Sequence, residues 1–160
     1  MPRANVLIRR RVWRVIRPGR ISHQASYQGP RLDFGRNPNG AEAALTSLEQ
    51  ARRIASLAQE KLAQDVVILD MRPACSYTDY FVVCTGQNSR QTAAIYNEVH
   101  SGMKHDVRLL PSSVDGQSEA SWIVADYLDV VLHIFTPESR AYYRLEDLWG
   151  DAPPVEVAAV

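Results

Sequence analysis

The side chains able to do chemistry in this chain are few and scattered. They are Cys75 and Cys84, the histidines at 100, 105 and 133, and a polar loop, Thr85-Gly86-Gln87-Asn88-Ser89, between a strand-like and a helix-like run. His100 and His105 lie five apart with no third ligand nearby, and Cys75, Cys84 and His133 fall on separate elements. Structural zinc wants four nitrogen or sulfur ligands in paired spacing, so no metal is expected. Cys84 ends a strand and could act as a nucleophile beside His133. It has neither a helix N-terminus nor a cation beside it in sequence to lower its pKa. A buried free thiol is the expected state of both cysteines. The chain also lacks a Gly-x-Ser-x-Gly elbow.

The polar loop poses a sharper question, because a strand-to-helix loop turns backbone N–H groups toward an anion. Its arrangement resembles the glycine/serine loop of nucleotidyltransferases. Those enzymes hold two Mg²⁺ ions with an Asp-x-Asp pair on a later strand, where alternate residues share a face. Here the corresponding stretch is Asp129-Val130-Val131. One carboxylate cannot clamp two metals, so the expectation is a related fold without the chemistry: no catalytic residues and no cofactor.

The remaining constellation is acidic and aromatic. Between residues 115 and 147 there are seven acids and two arginines, with Trp122, Tyr127, Tyr142 and Tyr143 among them. On a strand, Trp122, Val124 and Asp126 point one way and Ile123, Ala125 and Tyr127 the other. If Ile123 and Ala125 face the core, Trp122 and Asp126 share the more exposed face. Aromatics beside carboxylates suit a basic protein partner and repel free nucleic acid. The competing expectation is that Trp122 fills the core and the acids are merely solvated. The candidate contact residues are Trp122, Asp126, Tyr127, Asp129, Arg140 and Tyr143.

These residues must be carried by regular elements. Leu45, Leu48, Ala51, Ala55, Ala58 and Leu62 step by three or four, which predicts a helix over 43–63. Thr46 with Glu49 three residues on is a capping-box pattern. Strands are predicted over 66–69, 81–84 and 107–110, with a turn at 114–117. Further strands are predicted at 122–127 and 130–135, forming an antiparallel hairpin. Ser89 is the expected cap of a helix over 90–103, and a closing helix spans 139–148 behind Pro137. Residues 151–160 read as a pattern-poor tail. The order predicts an α/β domain over 43–150, a single mixed β-sheet flanked by helices, and the resemblance of the polar loop implies that it is nucleotidyltransferase-like. About 110 residues suffice for one core.

Net charge is zero, but it is split. Residues 1–40 hold nine arginines and one acid, and the remainder holds nine basic against seventeen acidic residues, so +8 faces −8. The head, 1–42, reads as a disordered basic extension, a start placed too far upstream among its explanations. Two other readings are an Arg-rich transit peptide and an RNA-contacting arm. The latter is the only expected direct RNA contact. No apolar run approaches the roughly 18–20 residues needed to cross a bilayer, so no membrane partner is expected.

Two runs carry a family resemblance. The first is Asp70-Met71-Arg72, Thr78 to Gly86, Ser89-Arg90-Gln91 and Ala94-Ile95. The second is Asp115-Gly116, Trp122 to Tyr127, Asp129 to Phe135, Arg140, Tyr143, Leu145-Glu146 and Leu148 to Ala152. Together, over 45–152, they resemble the ribosomal silencing factor (RsfS/iojap) family. Asp115-Gly116 stands where the family commonly has Glu-Gly, and residues 1–40 have no counterpart in its usual bacterial form. The resemblance implies a non-enzymatic repressor of translation in the cytoplasm, or in an organelle if the head is a transit peptide. It implies binding to the large ribosomal subunit through that subunit's fourteenth protein, and steric blocking of subunit joining. Homodimers, and a role in large-subunit biogenesis, are implied as alternatives within the family.

Overall fold

The computed structural model describes residues 45–157. The expectations placed on 1–42, and the last three residues, lie outside them. The chain forms α1 (Ser47–Glu60), β1 (Gln64–Asp70), β2 (Tyr80–Thr85), α2 (Ser89–Val107) and β3 (Ser113–Asp115). It continues through β4 (Trp122–Asp126), β5 (Val130–Phe135), α3 (Pro137–Tyr143), α4 (Leu145–Leu148) and β6 (Pro154–Val155).

Local chemistry sets the ends of these elements. Thr46 and Glu49 form the expected capping box on α1. At α2 the cap is Asn88, whose side chain accepts from the Gln91 N–H, rather than Ser89. α2 also runs a turn further than expected, so Val107 ends a helix instead of opening a strand. Arg108 stops it in the left-handed conformation at φ 54°. The third strand therefore forms at 113–115, where a turn was expected. The closing helix breaks in two at Arg144, which has φ 49°.

The strands assemble into one mixed sheet of order β3-β4-β5-β2-β1-β6. β4 and β5 make the expected antiparallel hairpin. β5 lies parallel to β2, from Tyr80↔Val130 to Thr85↔Phe135. The stretch read as a pattern-poor tail supplies an edge strand. β6 pairs with β1 through Ile68↔Val155 and Leu69↔Pro154, and the Asp70 N–H donates to the Pro153 carbonyl at 2.9 Å. Proline, which lacks a donor, is tolerated at an edge.

Both faces of the sheet are covered. On one, α1 and α2 bury Ile54, Leu57, Ile95 and Val99 against Ile68, Ile123, Ala125 and Ile134. On the other, Phe81, Trp122, Val124, Val131 and Phe135 pack with Leu145 and Ala152. β2, β4 and β5 are buried along their whole length, which is why they read as unbroken apolar runs.

Candidate partner-binding surface

The sheet divides the candidate residues between its two ends. At one end β4 turns into β5. The Tyr127 N–H donates to the Val130 carbonyl at 2.8 Å, closing the turn, and Leu128 at its tip has φ 74°. A leucine with positive φ is uncommon, and such conformations cost on the order of 1–3 kcal/mol. The surroundings hold it there. The Leu128 N–H donates to Asp126 Oδ1 at 2.8 Å. The Asp129 carbonyl accepts from the Asp79 and Tyr80 N–H groups at 2.9 and 3.1 Å. Ser112 donates to the Asp126 carbonyl through its N–H at 2.7 Å, and Gln50 Nε2 to the Tyr127 carbonyl at 3.3 Å.

The side chains at this end differ in exposure. Tyr127 is buried in the helix-side core with its hydroxyl lacking a partner among the described residues, and burial, with Tyr96 adding to it, raises its pKa. Asp126 is 9% exposed. Asp129 is exposed, and its pKa is raised by partial burial first and by the Asp79 carboxylate second. Leu128 is 52% exposed. Leu110, two residues before Ser112, and Leu45, just ahead of α1, stand exposed at the same end. This apolar tip was missed from sequence. Its signal was present: a two-residue hairpin turn normally carries Gly, Asn or Asp at the positive-φ position, and here the tip is leucine.

Trp122, Arg140 and Tyr143 lie at the opposite end. The expectation that Trp122 shares an exposed face is corrected. That face of the sheet is itself covered by α4 and the C-terminal stretch, and Trp122 is fully buried. Its ring stacks on Phe135 at 4.9 Å and tilts against Tyr143 at 4.7 Å. Arg140 is a staple. Its Nε donates to Glu146 Oε1 at 2.9 Å, and Nη1 donates to Thr85 Oγ1 at 2.7 Å and to the Asp65 carbonyl at 2.9 Å. It thereby ties α3 and α4 to the end of β2 and to the bulge in β1, where Asp65 has φ 48°. Tyr143 is half-buried, with Tyr142 exposed beside it.

The catalytic alternatives do not assemble. The Thr85–Ser89 loop follows the C-terminal end of β2, whereas Asp129 precedes the N-terminal end of β5, and the two strands are parallel and in register. Six residues at about 3.3 Å each put roughly 17–20 Å between them. Gly86 has a packing reason: a Cβ there would meet the Thr92 backbone nitrogen at 2.9 Å. The Gln87 N–H is already taken by Gln91 Oε1 at 2.7 Å. Cys84 and His133 sit on adjacent strands but face opposite cores. Burial pushes the thiol up to about 12, against a smaller lowering by Arg140, and pushes His133 down to about 3. His100 Nδ1 meets the Tyr96 hydroxyl, and His105 Nδ1 meets Asp106 Oδ1 at 3.0 Å. Among the described residues, no three metal-ligating side chains converge and no helix is long and apolar enough to cross a membrane.

The architecture is that of a small mixed-sheet α/β domain with an acidic, apolar hairpin end. The chain belongs to the RsfS family, described as ribosomal silencing factor during starvation, whose profile matches residues 44–160. It is 38% identical over 101 residues to the ribosomal silencing factor RsfS of Halalkalibacterium halodurans, covering 63% of this chain and 86% of that one. It is 32% identical over 98 residues to the mouse protein named mitochondrial assembly of ribosomal large subunit protein 1. That match covers 60% of this chain and 43% of the mouse protein. A crystal structure from Bacillus halodurans is similar at a TM-score of 0.61 and 32% identity, covering 68% of this chain and 98% of that one. One from Chromobacterium violaceum is similar at a TM-score of 0.64 and 26% identity, covering 72% and 95%. The family and the mixed sheet flanked by helices are both as expected from sequence.

Proposed function

We propose that this protein binds the large ribosomal subunit at its intersubunit face, blocks joining of the small subunit by steric exclusion, and so represses translation. Membership of the RsfS family carries the reading. The proposed mode is non-enzymatic, and the separation of the polar loop from Asp129 by the length of β5 supports it. The proposed partner is the fourteenth protein of the large subunit, a basic surface for an acidic one. The cytoplasm is the proposed site of action, or an organelle if residues 1–42 serve as a transit peptide. Homodimerisation is a further property to be tested.

Of the six candidate residues, Asp129, beside Leu128, is proposed to make the contact, while the largely buried Asp126 holds Leu128 in place by accepting from its N–H. A half-exposed leucine held at positive φ and flanked by carboxylates suits an apolar anchor with a charged rim. Tyr143 is proposed as a secondary contact. Trp122, Tyr127 and Arg140 are proposed to act by holding the surface in shape, since the first two are buried and the third is bonded on three sides.

A second reading is a role in assembling the large subunit, favoured by the likeness to the mouse assembly protein. Sedimentation of purified subunits decides between them. Loss of joined ribosomes on adding the protein is expected. Undiminished joining with full large-subunit binding would favour assembly.

A further inference from the structure

Five large apolar side chains stand exposed among the described residues: Leu45, Leu62, Leu110, Leu128 and Tyr142. Three of them, Leu45, Leu110 and Leu128, share the hairpin end of the sheet. Asp79 and Asp129 border it, close enough for the Asp79 carboxylate to raise the pKa of Asp129, after burial. The same end is where the preceding chain arrives. Thr46 caps α1, and Gln50 in the first turn donates to the Tyr127 carbonyl at 3.3 Å. The segment before Leu45 is therefore attached to the domain at the hairpin end.

What precedes matches the Asp79 and Asp129 edge of that end in charge and its leucines in apolarity, although Arg72 also acts on Asp79, and Lys104 and Arg108 lie at the helix end that leads to Leu110. Residues 1–40 carry +8 against −8 for the rest of the chain. Arg9, Arg10, Arg11, Arg14, Arg17 and Arg20 alternate with Val12, Trp13, Val15 and Ile16. The stretch between Arg20 and Leu45 can span at most about 80 Å at about 3.3 Å per residue, several times the radius of such a domain. Reach is thus no constraint, and tethering makes the encounter intramolecular, with effective concentrations of order millimolar.

We propose that the basic N-terminal segment docks on the hairpin end of its own domain. Its arginines face Asp79 and Asp129, and its apolar residues cover Leu110 and Leu128. It thereby competes with any basic partner for that surface. The competition, though not the docking, rests on the ribosome-binding reading above.

The docking is tested on the full chain, with Cys75→Ser and Ser22→Cys supplying one reactive thiol at position 22 for a spin label; Cys84 is buried. Amide signals of Leu110, Leu128 and Asp129 should broaden selectively at about 0.05 M salt and recover at about 0.5 M. They should also recover when Asp79→Lys and Asp129→Lys are added. Broadening elsewhere, none at all, or broadening that survives both aspartate substitutions would overturn the docking. So would a head that leaves the hairpin end untouched while binding a short RNA duplex.

For the competition, Arg9→Glu, Arg10→Glu and Arg11→Glu together should tighten binding to isolated large subunits by about fivefold, if the head covers the surface four-fifths of the time. Weaker binding in that variant would mark the head as an RNA arm and overturn the competition. Absence of large-subunit binding in every form, with the broadening intact, would sink the ribosome reading and leave the docking standing.

Discussion

Trp122 Nε1 donates to His133 Nδ1 across 3.3 Å, and both side chains are fully buried. The pair joins β4 to β5 within the core that lines the sheet opposite α1 and α2. Accepting from the indole fixes the histidine as the tautomer protonated on Nε2. The most prominent aromatic of the sequence is thereby spent on structure. Trp122→Ala is expected to cost about 3–5 kcal/mol in urea unfolding at neutral pH. A variant as stable as the parent would show that this core is not closed in solution.

His133 ties stability to acid. Its folded pKa is pushed down to about 3 by burial, whereas an unfolded histidine titrates near 6.5. The unfolded chain therefore takes up the proton first. The contribution is fully present above about pH 6.5 and is lost progressively as pH falls toward 3, by roughly 4 kcal/mol across the window. Urea midpoints measured from pH 7 to 4 should fall, and His133→Gln, which retains an acceptor without titrating in this range, should flatten the slope. A parallel slope in both proteins would place the acid sensitivity elsewhere.

Leu128 separates stability from binding. Replacing it with glycine removes the positive-φ penalty, so Leu128→Gly should leave stability unchanged or raise it by up to about 1 kcal/mol. The same change deletes the proposed apolar anchor and should weaken large-subunit binding by about tenfold or more. Co-sedimentation with isolated large subunits reads the second effect and thermal unfolding the first. Unaltered binding would remove Leu128 from the contact.

Asp129→Lys reverses the charge beside Leu128 at an exposed position. Association with the large subunit should slow, and its dependence on ionic strength should shallow, with little change in melting temperature. An on-rate that matches the parent at low salt would mean that the hairpin end does not meet a basic surface.

Arg140→Met keeps the stem of the side chain and removes its donors to Glu146, Thr85 and the Asp65 carbonyl. Stability should fall by about 1–3 kcal/mol, with the loss of amide protection concentrated in α3, α4 and the bulged start of β1. Protection lost uniformly would mean that the staple is not local.

Much of the hairpin could be read in the chain. Trp122–Tyr127 and Val130–Phe135 are apolar runs separated by two residues, and only an antiparallel pairing fits so short a connection. α1 was legible because its apolar positions repeat at helical spacing and Thr46 and Glu49 cap it. β3 was misplaced because the extra turn of α2 depends on its packing against α1, which local propensity does not register. β6 was missed because two residues carry no periodicity; the unpaired edge of β1 recruits them.

By itself, the sequence determined the family, the mixed α/β class, the missing second carboxylate at Val131 and the split of charge between head and domain. These are local properties, present in the order and type of the residues. The tertiary structure decided which of six candidate side chains meets solvent. Alternation along a strand states which residues share a face, but not whether that face is covered. Here α4 and Ala152 cover it, burying Trp122, while the turn of β4 into β5 leaves Leu128 and Asp129 outside. Burial is set by elements remote in sequence, and so the surface that a partner can touch emerges only when the sheet is closed on both sides.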